Sequence, residues 1–258
     1  MTPVSGATPD GHGLSGVADA GAFLARLVRL DPAVLVRLRP AGVADRTALW
    51  ARLPWGVLVT RSVTGLGRAD VTVSAGQLLT ELERGGADLP TRRDQQWRWP
   101  LPAPGGRLVE TMPGAEVRRI AMAAAGALRT ATVHGVAGRR VGERLLRDAL
   151  LDHVAVVVTA PAGPADDGTA AGRPDDSPAR QGEPVAAPVG SGPVEVPQRL
   201  VQAVHQMGFL GPERLIAGTT VRILVAGRWV GLAAPYGAAW LPKANPLLIG
   251  PHQGRPNG

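Results

Sequence analysis

Residues 33–63, AVLVRLRPAGVADRTALWARLPWGVLVTRSV, decide the fold class. Three runs rich in Val and Leu, Ala33 to Pro40, Thr47 to Pro54 and Gly56 to Val63, are broken by short turns carrying Pro-Ala-Gly and Pro-Trp-Gly. Connections this short close antiparallel pairs, because a parallel pair needs a crossover of a dozen or more residues. The first run sets Leu38 against Arg37 and Arg39. The second is less regular, with Leu49 and Leu53 set against Trp50 and Arg52. A fourth run, Asp70 to Val73, leads into a helix predicted over 74–84. Ser74 is its N-cap with Gln77 three residues on, Leu78, Leu79 and Leu82 form its apolar stripe, and Gly85-Gly86 stops it. The prediction is an antiparallel sheet over 33–73 with helices packed on it.

Working outward, Ala22 to Leu30 is a short amphipathic piece ended by Asp31-Pro32, and residues 1–18 are expected to form a disordered tail. Residues 89–107, LPTRRDQQWRWPLPAPGGR, fit either a short edge strand or an ordered loop. A helix over 113–131 follows, with Val117, Ile120, Ala121, Ala124 and Leu128 on one face. Pro at its first turn and Glu116 near its positive end suit helix physics. Gly135 to Gly138 makes a turn into a second helix over 140–151, and Val154 to Thr159 is a strand. Residues 19–159 thus make an α+β region.

Residues 160–193 hold seven prolines, six glycines and five acidic residues, with Val185 and Val189 the only large apolar side chains. Such a segment has little to bury against the entropy of ordering its backbone, so a disordered acidic linker is expected. Residues 194–250 then supply a helix opened by Pro197, with Leu200, Val201, Val204 and Met207 inward, and a hairpin of Val221 to Val225 and Arg228 to Leu232. A further short strand carries Tyr236 and Trp240. This piece is too small for a comfortable core of its own and is expected to pack on the preceding region. Residues 251–258 form a second tail. The fold class is α+β: an N-terminal antiparallel sheet with packed helices, a helical hairpin, and a C-terminal helix plus β-hairpin.

Charge narrows the function. The formal net charge is +7, and 27 of the 28 basic residues are arginine, Lys243 being the exception. A codon bias toward GC accounts for the Arg/Lys ratio but not for the net charge. The excess lies on both sides of the linker, +7 over 19–152 and +4 from Val194 onward, against −3 within it. Basic surfaces of this kind suit phosphate, and a guanidinium offers a fork of donors to it.

Two stretches carry candidate contacts. ALRTATVHGVAGRRVGERLLRDALL, residues 127–151, spaces Ala131, Gly135, Val141 and Leu145 roughly as in a helix-turn-helix, a resemblance to a motif pattern rather than to a family. If its second helix enters a groove, Arg139, Arg140, Arg144 and Arg147 face the nucleic acid, and Arg222 and Arg228 flank a hairpin placed to act as a wing. Glu143, Asp148 and Asp152 accompany those arginines, as on an ordinary solvated helix face. The second stretch, TRRDQQWRW (residues 91–99), interleaves Arg92, Arg93 and Arg98 with Trp97 and Trp99. Three roles fit it: base stacking with phosphate contacts, anchoring a partner protein, and covering the core from the sheet edge.

Catalytic signals are poor. There is no cysteine, no His-x-x-x-His spacing and no phosphate-binding glycine motif. Asp152-His153 is the only adjacent acid–imidazole pair, and it lies at a helix end where the dipole alone favours histidine. The expectation is a non-enzyme without metal or cofactor, cytoplasmic because its N-terminus lacks the features of a secretory signal, and without a membrane span. The leading function is nucleic-acid binding or regulation, with DNA or another nucleic acid as partner. The alternative is an adaptor or assembly protein that holds an acidic protein through Trp and Arg surfaces.

Overall fold

The computed structural model describes residues 11–43, 45–67, 70–136, 139, 141–159 and 192–243. The expected linker, apart from its last two residues, the C-terminal tail and residues 1–10 lie outside them. In chain order the elements are α1 (Val17–Leu30), β1 (Leu35–Pro40), β2 (Arg46–Arg52), β3 (Leu58–Thr64), β4 (Val71–Ser74), α2 (Ala75–Glu83), β5 (Arg107–Pro113) and α3 (Gly114–His134). There follow α4 (Glu143–Asp152), β6 (Val154–Val158), β7 (Val194–Pro197), α5 (Gln198–Gln206), α6 (Glu213–Ile216), β8 (Thr220–Ala226), β9 (Trp229–Ala234) and β10 (Gly237–Pro242).

The architecture is α+β. Eight strands form one antiparallel sheet in the order β4-β1-β2-β3-β10-β9-β8-β5, and β6 pairs with β7 in a separate two-stranded sheet. The meander β1-β2-β3 forms as its short turns require, and β8-β9-β10 is a second meander. The two meet where Thr60 of β3 faces Ala238 of β10. Each meander is flanked by a strand that runs straight into a helix, β4 into α2 and β5 into α3. The sheet therefore consists of two similar halves joined edge to edge.

Side chains alternate across a strand, so the sheet has two faces. On β2, Thr47, Leu49 and Ala51 are buried on the inner face, while Trp50 lies on the outer one. The inner face packs under the helices. Phe23, Leu24 and Leu27 of α1, Leu78 of α2, Val117 of α3 and Leu200 and Val204 of α5 share one core with Val59, Ile223 and Leu232. Helix α1 lies against α2, α3 against α5, and α4 leans on both α3 and α5. The inner face also holds a buried arginine: Arg61 of β3 pairs with Asp19 of α1 at 2.7 Å and donates to the Tyr236 carbonyl at 3.2 Å.

Ser74 caps α2 by accepting from the Gln77 amide at 3.4 Å, and Pro197 stands at the N-cap of α5. Three departures from the sequence-based expectation have physical causes. Residues 11–18 are held rather than forming a tail. His12 is buried, its amide donates to the Ala87 carbonyl, its Nδ1 accepts from the Leu14 amide, and α1 begins at Val17. A polar hub ties this segment down, and hydrophobic patterning does not register it. Strand β5 has no signature in the sequence because a bulge between Leu108 and Glu110 breaks its alternation. Helix α3 runs to His134, beyond the expected 131, and Gly135 with φ 75° ends it.

Candidate functional site

The outer face of the sheet carries a continuous cross-strand row. Thr72, Arg37, Trp50, Thr60, Ala238, Ala233, Arg222 and Thr111 are register partners from β4 to β5. Strands lie about 4.8 Å apart, so β2 and β8 are separated by roughly 19 Å on this face. A neighbouring row runs Leu58, Trp240, Gly231, Leu224, Leu108.

Over this face lies the segment between α2 and β5, which has no regular structure beyond a 3-10 turn at Asp94–Gln96. It is tied to the edge strand β4: the Arg93 amide donates to the Thr72 carbonyl at 2.7 Å, and the Thr72 amide donates to Asp94 Oδ1 at 2.7 Å. Partial burial would raise the Asp94 carboxyl. The Thr72 amide, the Arg92 guanidinium and nearby Arg37 outweigh it and hold the carboxyl below its ordinary value. Arg37 is shifted the other way, upward, by its hydrogen bond to Asp70 acting against partial burial.

The sign of the Asp94 shift makes a prediction. A depressed carboxylate supports its contacts above the unfolded value of about 3.9 and loses that support as pH falls through the folded value. Near-ultraviolet circular dichroism of the tryptophans should therefore drop below about pH 4, and Asp94→Asn should flatten that part of the profile. Identical acid profiles for the two proteins would refute the anchor.

The tryptophans make a second, smaller core on the outer face. Trp229 and Trp240 are buried there with Leu58 and Ala226, and Trp50, Trp97, Trp99 and Leu101 pack against them. Trp97 donates through Nε1 to the Trp99 carbonyl at 2.7 Å, and the two rings meet edge to face at 5.5 Å. Arg37 lies over the Trp97 ring at 5.7 Å and Arg52 over Trp99 at 5.1 Å. These tryptophans hold the overlying segment to the sheet, and a guanidinium already covers a face of each ring. Of the three roles that fit their sequence, covering a core matches this placement most directly.

The candidate arginines divide between two sides of the molecule. Arg92, Arg93, Arg98, Arg222 and Arg228 belong to the outer face, its overlying segment or the β8-β9 turn; the remainder belong to α4 and the connection before it. Arg140 lies outside the described residues. Arg92 pairs with Asp94, and Arg93 is half-buried, its Nε without a hydrogen-bond partner among the described residues. Arg98, Arg222 and Arg228 are exposed, and among the described residues none forms an ion pair, nor do Arg46 and Arg52 of β2. Arg37 and Arg39 share Asp70. On α4 the arginines have acids of their own: Arg147 pairs with Glu143, and Arg144 lies 3.9 Å from Asp148. Arg139 is exposed.

The helix-turn-helix spacing does not produce that geometry. Residues 135–142 separate α3 from α4, a connection longer than the three or four residues of the motif. Leu145, expected to pin the second helix, is 66% exposed, and Leu151 at the other end of α4 is its buried residue. The β8-β9 hairpin is no wing beside α4, because β5 and β10 pair with its two sides inside the large sheet. Sequence reasoning overlooked Arg46 and Arg52, whose alternation with Thr47, Leu49 and Ala51 was the available signal.

Among the described residues no three His, Cys, Asp or Glu side chains come together to hold a metal ion, and no helix is long and apolar enough to cross a membrane. His205 of α5 is half-buried, and burial together with Arg118 lowers its pKa.

Comparison with known proteins gives two family matches. The family described as "Domain of unknown function (DUF8185)" matches residues 101–246, and "Domain of unknown function (DUF8010)" matches residues 14–99. No curated protein matches. Among solved structures, the chain has a distant likeness to the DNA polymerase III subunit beta from Pseudomonas aeruginosa, at 13% identity and a TM-score of 0.45. The likeness covers 89% of this chain and 63% of that one, so the chain spans less than two thirds of its length.

Proposed function

The chain belongs to the DUF8185 family of domains of unknown function, and we propose that it binds nucleic acid through phosphate contacts on the outer face of its large sheet. The observation that supports this is the charge state of that face. Arg46, Arg52, Arg98, Arg222 and Arg228 have no ion-pair partner among the described residues, whereas the arginines of α4 are offset by Glu143 and Asp148. A guanidinium without a carboxylate partner is free to meet phosphate, with no internal pair to break first.

The spread of these groups suits a polymer. The roughly 19 Å from β2 to β8 spans several backbone charges of a strand that carries one per 3.4 Å of helix axis. Binding of this kind is electrostatic and indifferent to sequence, so affinity should fall steeply with salt. The tryptophans enter as supports that hold Arg98 in place above the sheet, rather than as free stacking platforms.

The test is a salt titration of binding to duplex and single-stranded DNA. Replacing Arg98, Arg222 and Arg228 together by alanine should weaken binding at low salt by at least about a hundredfold. It should also shrink the slope of log K against log salt by about one for each phosphate that is no longer neutralised. Arg144→Ala should leave both nearly unchanged. Absence of binding to either form at low salt would overturn the proposal and favour an acidic protein as the partner of the same arginines.

A further inference from the structure

A cavity of about 680 Å³ opens where one end of the large sheet meets the β6–β7 pair. That volume falls within the range of about 300–1,000 Å³ typical of small-ligand sites. Its apolar wall includes Val154, Val194, Val230 and Leu241. Its charged groups are Arg52 of β2, Lys243 directly after β10, Glu195 of β7, Asp152 at the end of α4 and Arg199 of α5.

The geometry at Gly56 gives the site a focus. A Cβ placed there would lie 3.3 Å from Arg52 Nη2 and 3.9 Å from Arg199 Nη1, so two guanidinium groups converge on the residue that lacks a side chain. Arg199 is held in place: it pairs with Asp152 and donates to the Trp55 carbonyl at 3.2 Å. Arg52 and Lys243 have no ion pair among the described residues, and neither does Glu195. Like charges brought together beside an open backbone position favour an anion between them. A carboxylate across an apolar gap only accepts hydrogen bonds, so the far end of a ligand must donate.

We propose that this cavity binds a phosphate ester of nucleotide size, with its phosphate beside Gly56 at Arg52 and Arg199, Lys243 of the same lining adding charge, and its hydroxyl or amine donors on Glu195. The apolar wall between the two ends takes the body of the ligand. The site shares Arg52 with the outer-face arginines, but Arg98, Arg222 and Arg228 do not line it.

The experiment is calorimetric titration of the full chain with AMP, ribose 5-phosphate and inorganic phosphate. AMP should bind saturably. Lys243→Gln, a change at an exposed position, should weaken it at least about tenfold, as removal of one charge-assisted hydrogen bond requires. Val194→Trp, which fills the cavity, should abolish binding, with an unaltered circular dichroism spectrum as the control for folding. Glu195→Gln should weaken AMP and leave inorganic phosphate unchanged. Ribose 5-phosphate binding as tightly as AMP supports the site and assigns the sugar phosphate as the recognised part. The Arg98, Arg222 and Arg228 triple variant should retain AMP binding, which separates this result from the DNA titration. No saturable binding by AMP or ribose 5-phosphate, an unchanged affinity in Lys243→Gln, or inorganic phosphate binding as tightly as AMP would each overturn the proposal.

Discussion

Phe209→Ala is expected to destabilise the protein by about 3–5 kcal/mol, in the range found for large aromatic side chains removed from closed cores. Phe209 is fully buried and stacks on Phe23 of α1 with ring centroids 6.3 Å apart and an interplanar angle of 12°. Its backbone is also committed: its amide donates to the Val204 carbonyl, and its carbonyl accepts from the Tyr236 amide. The side chain therefore sits where α1 of one half meets the connection between α5 and α6 of the other. Nothing adjacent is free to collapse into the space. Gly237, whose Cβ position would lie 2.5 Å from the Phe209 ring, is fixed in a strand paired on both sides.

A loss of this size is a large part of the total stability of a typical domain, about 5–15 kcal/mol. Thermal unfolding should fall by roughly 10 °C or more. Phe209→Leu, which keeps most of the volume, should cost distinctly less. An alanine variant that melts within a degree or two of the parent would show that the two halves are not coupled through this ring.

The second large effect concerns Gly231 and Trp240, which face each other in the register of β9 and β10. In a strand interior, replacing glycine by alanine is ordinarily favourable by roughly 0.5–1 kcal/mol, because glycine loses more freedom on folding. Here the expected sign is reversed. A Cβ on Gly231 would come within 2.4 Å of Trp240 Cε3, in the middle of the ring bed on the outer face. Trp240 cannot swing away without disturbing Leu58, Trp229 and the tryptophans packed on them. Gly231→Ala should therefore cost about 1–3 kcal/mol, the usual range for overpacking.

Trp240→Ala alone should cost about 3–5 kcal/mol through the cavity it leaves. In that background the Gly231 substitution should become neutral or stabilising, because the clash is gone. A double-mutant cycle in chemical denaturation measures this directly. The two changes should couple by at least about 1 kcal/mol, and simple additivity would refute the ring-on-glycine packing. The same cycle links stability to the proposed function. If Trp240 loosens, so does the bed beneath Trp97 and Trp99, and with it the placement of Arg98 above the sheet.

These two sites differ in how visible they are in the sequence. Phe209 lies in the segment Met207-Gly-Phe-Leu-Gly, where its size and the flanking glycines mark a buried anchor at a helix end, but not its partner. Gly231 is one of 34 glycines, and nothing local separates it from a turn residue. The outer tryptophans show the same limit. Trp50, Trp97, Trp99, Trp229 and Trp240 lie up to 190 residues apart in the chain and become one cluster only through the register of β2, β3, β10 and β9.

The arginines are an intermediate case. Glu143 to Arg147 and Arg144 to Asp148 are four-residue spacings on a helix, so the offset charge of α4 was legible as a solvated face. That Arg222, Arg228 and Arg98 form no ion pair among the described residues was not, because their neighbours come from distant strands. The helix-turn-helix pattern illustrates how spacing misleads: it specifies which residues should pack, but Leu145 faces solvent because α4 leans on α3 and α5 from its other end.

By itself the sequence determined what local chemistry controls. Short connections require the β1-β2-β3 meander antiparallel, Ser74 starts α2, Pro197 introduces α5, and Gly227 sits in the turn between β8 and β9. Only the tertiary structure decided that β3 pairs with β10 and β8 with β5, which makes one sheet of two halves. Local signals are silent there because the central strands carry apolar side chains on both faces, Val59 inward beside Leu58 outward, and Ala239 inward beside Trp240 outward. When both faces have something to bury, alternation cannot say which packs under helices and which under a loop. That choice rests on contacts between residues far apart in the chain, and it is what puts Arg46 and Arg52 of β2 on the same face as Arg222 of β8.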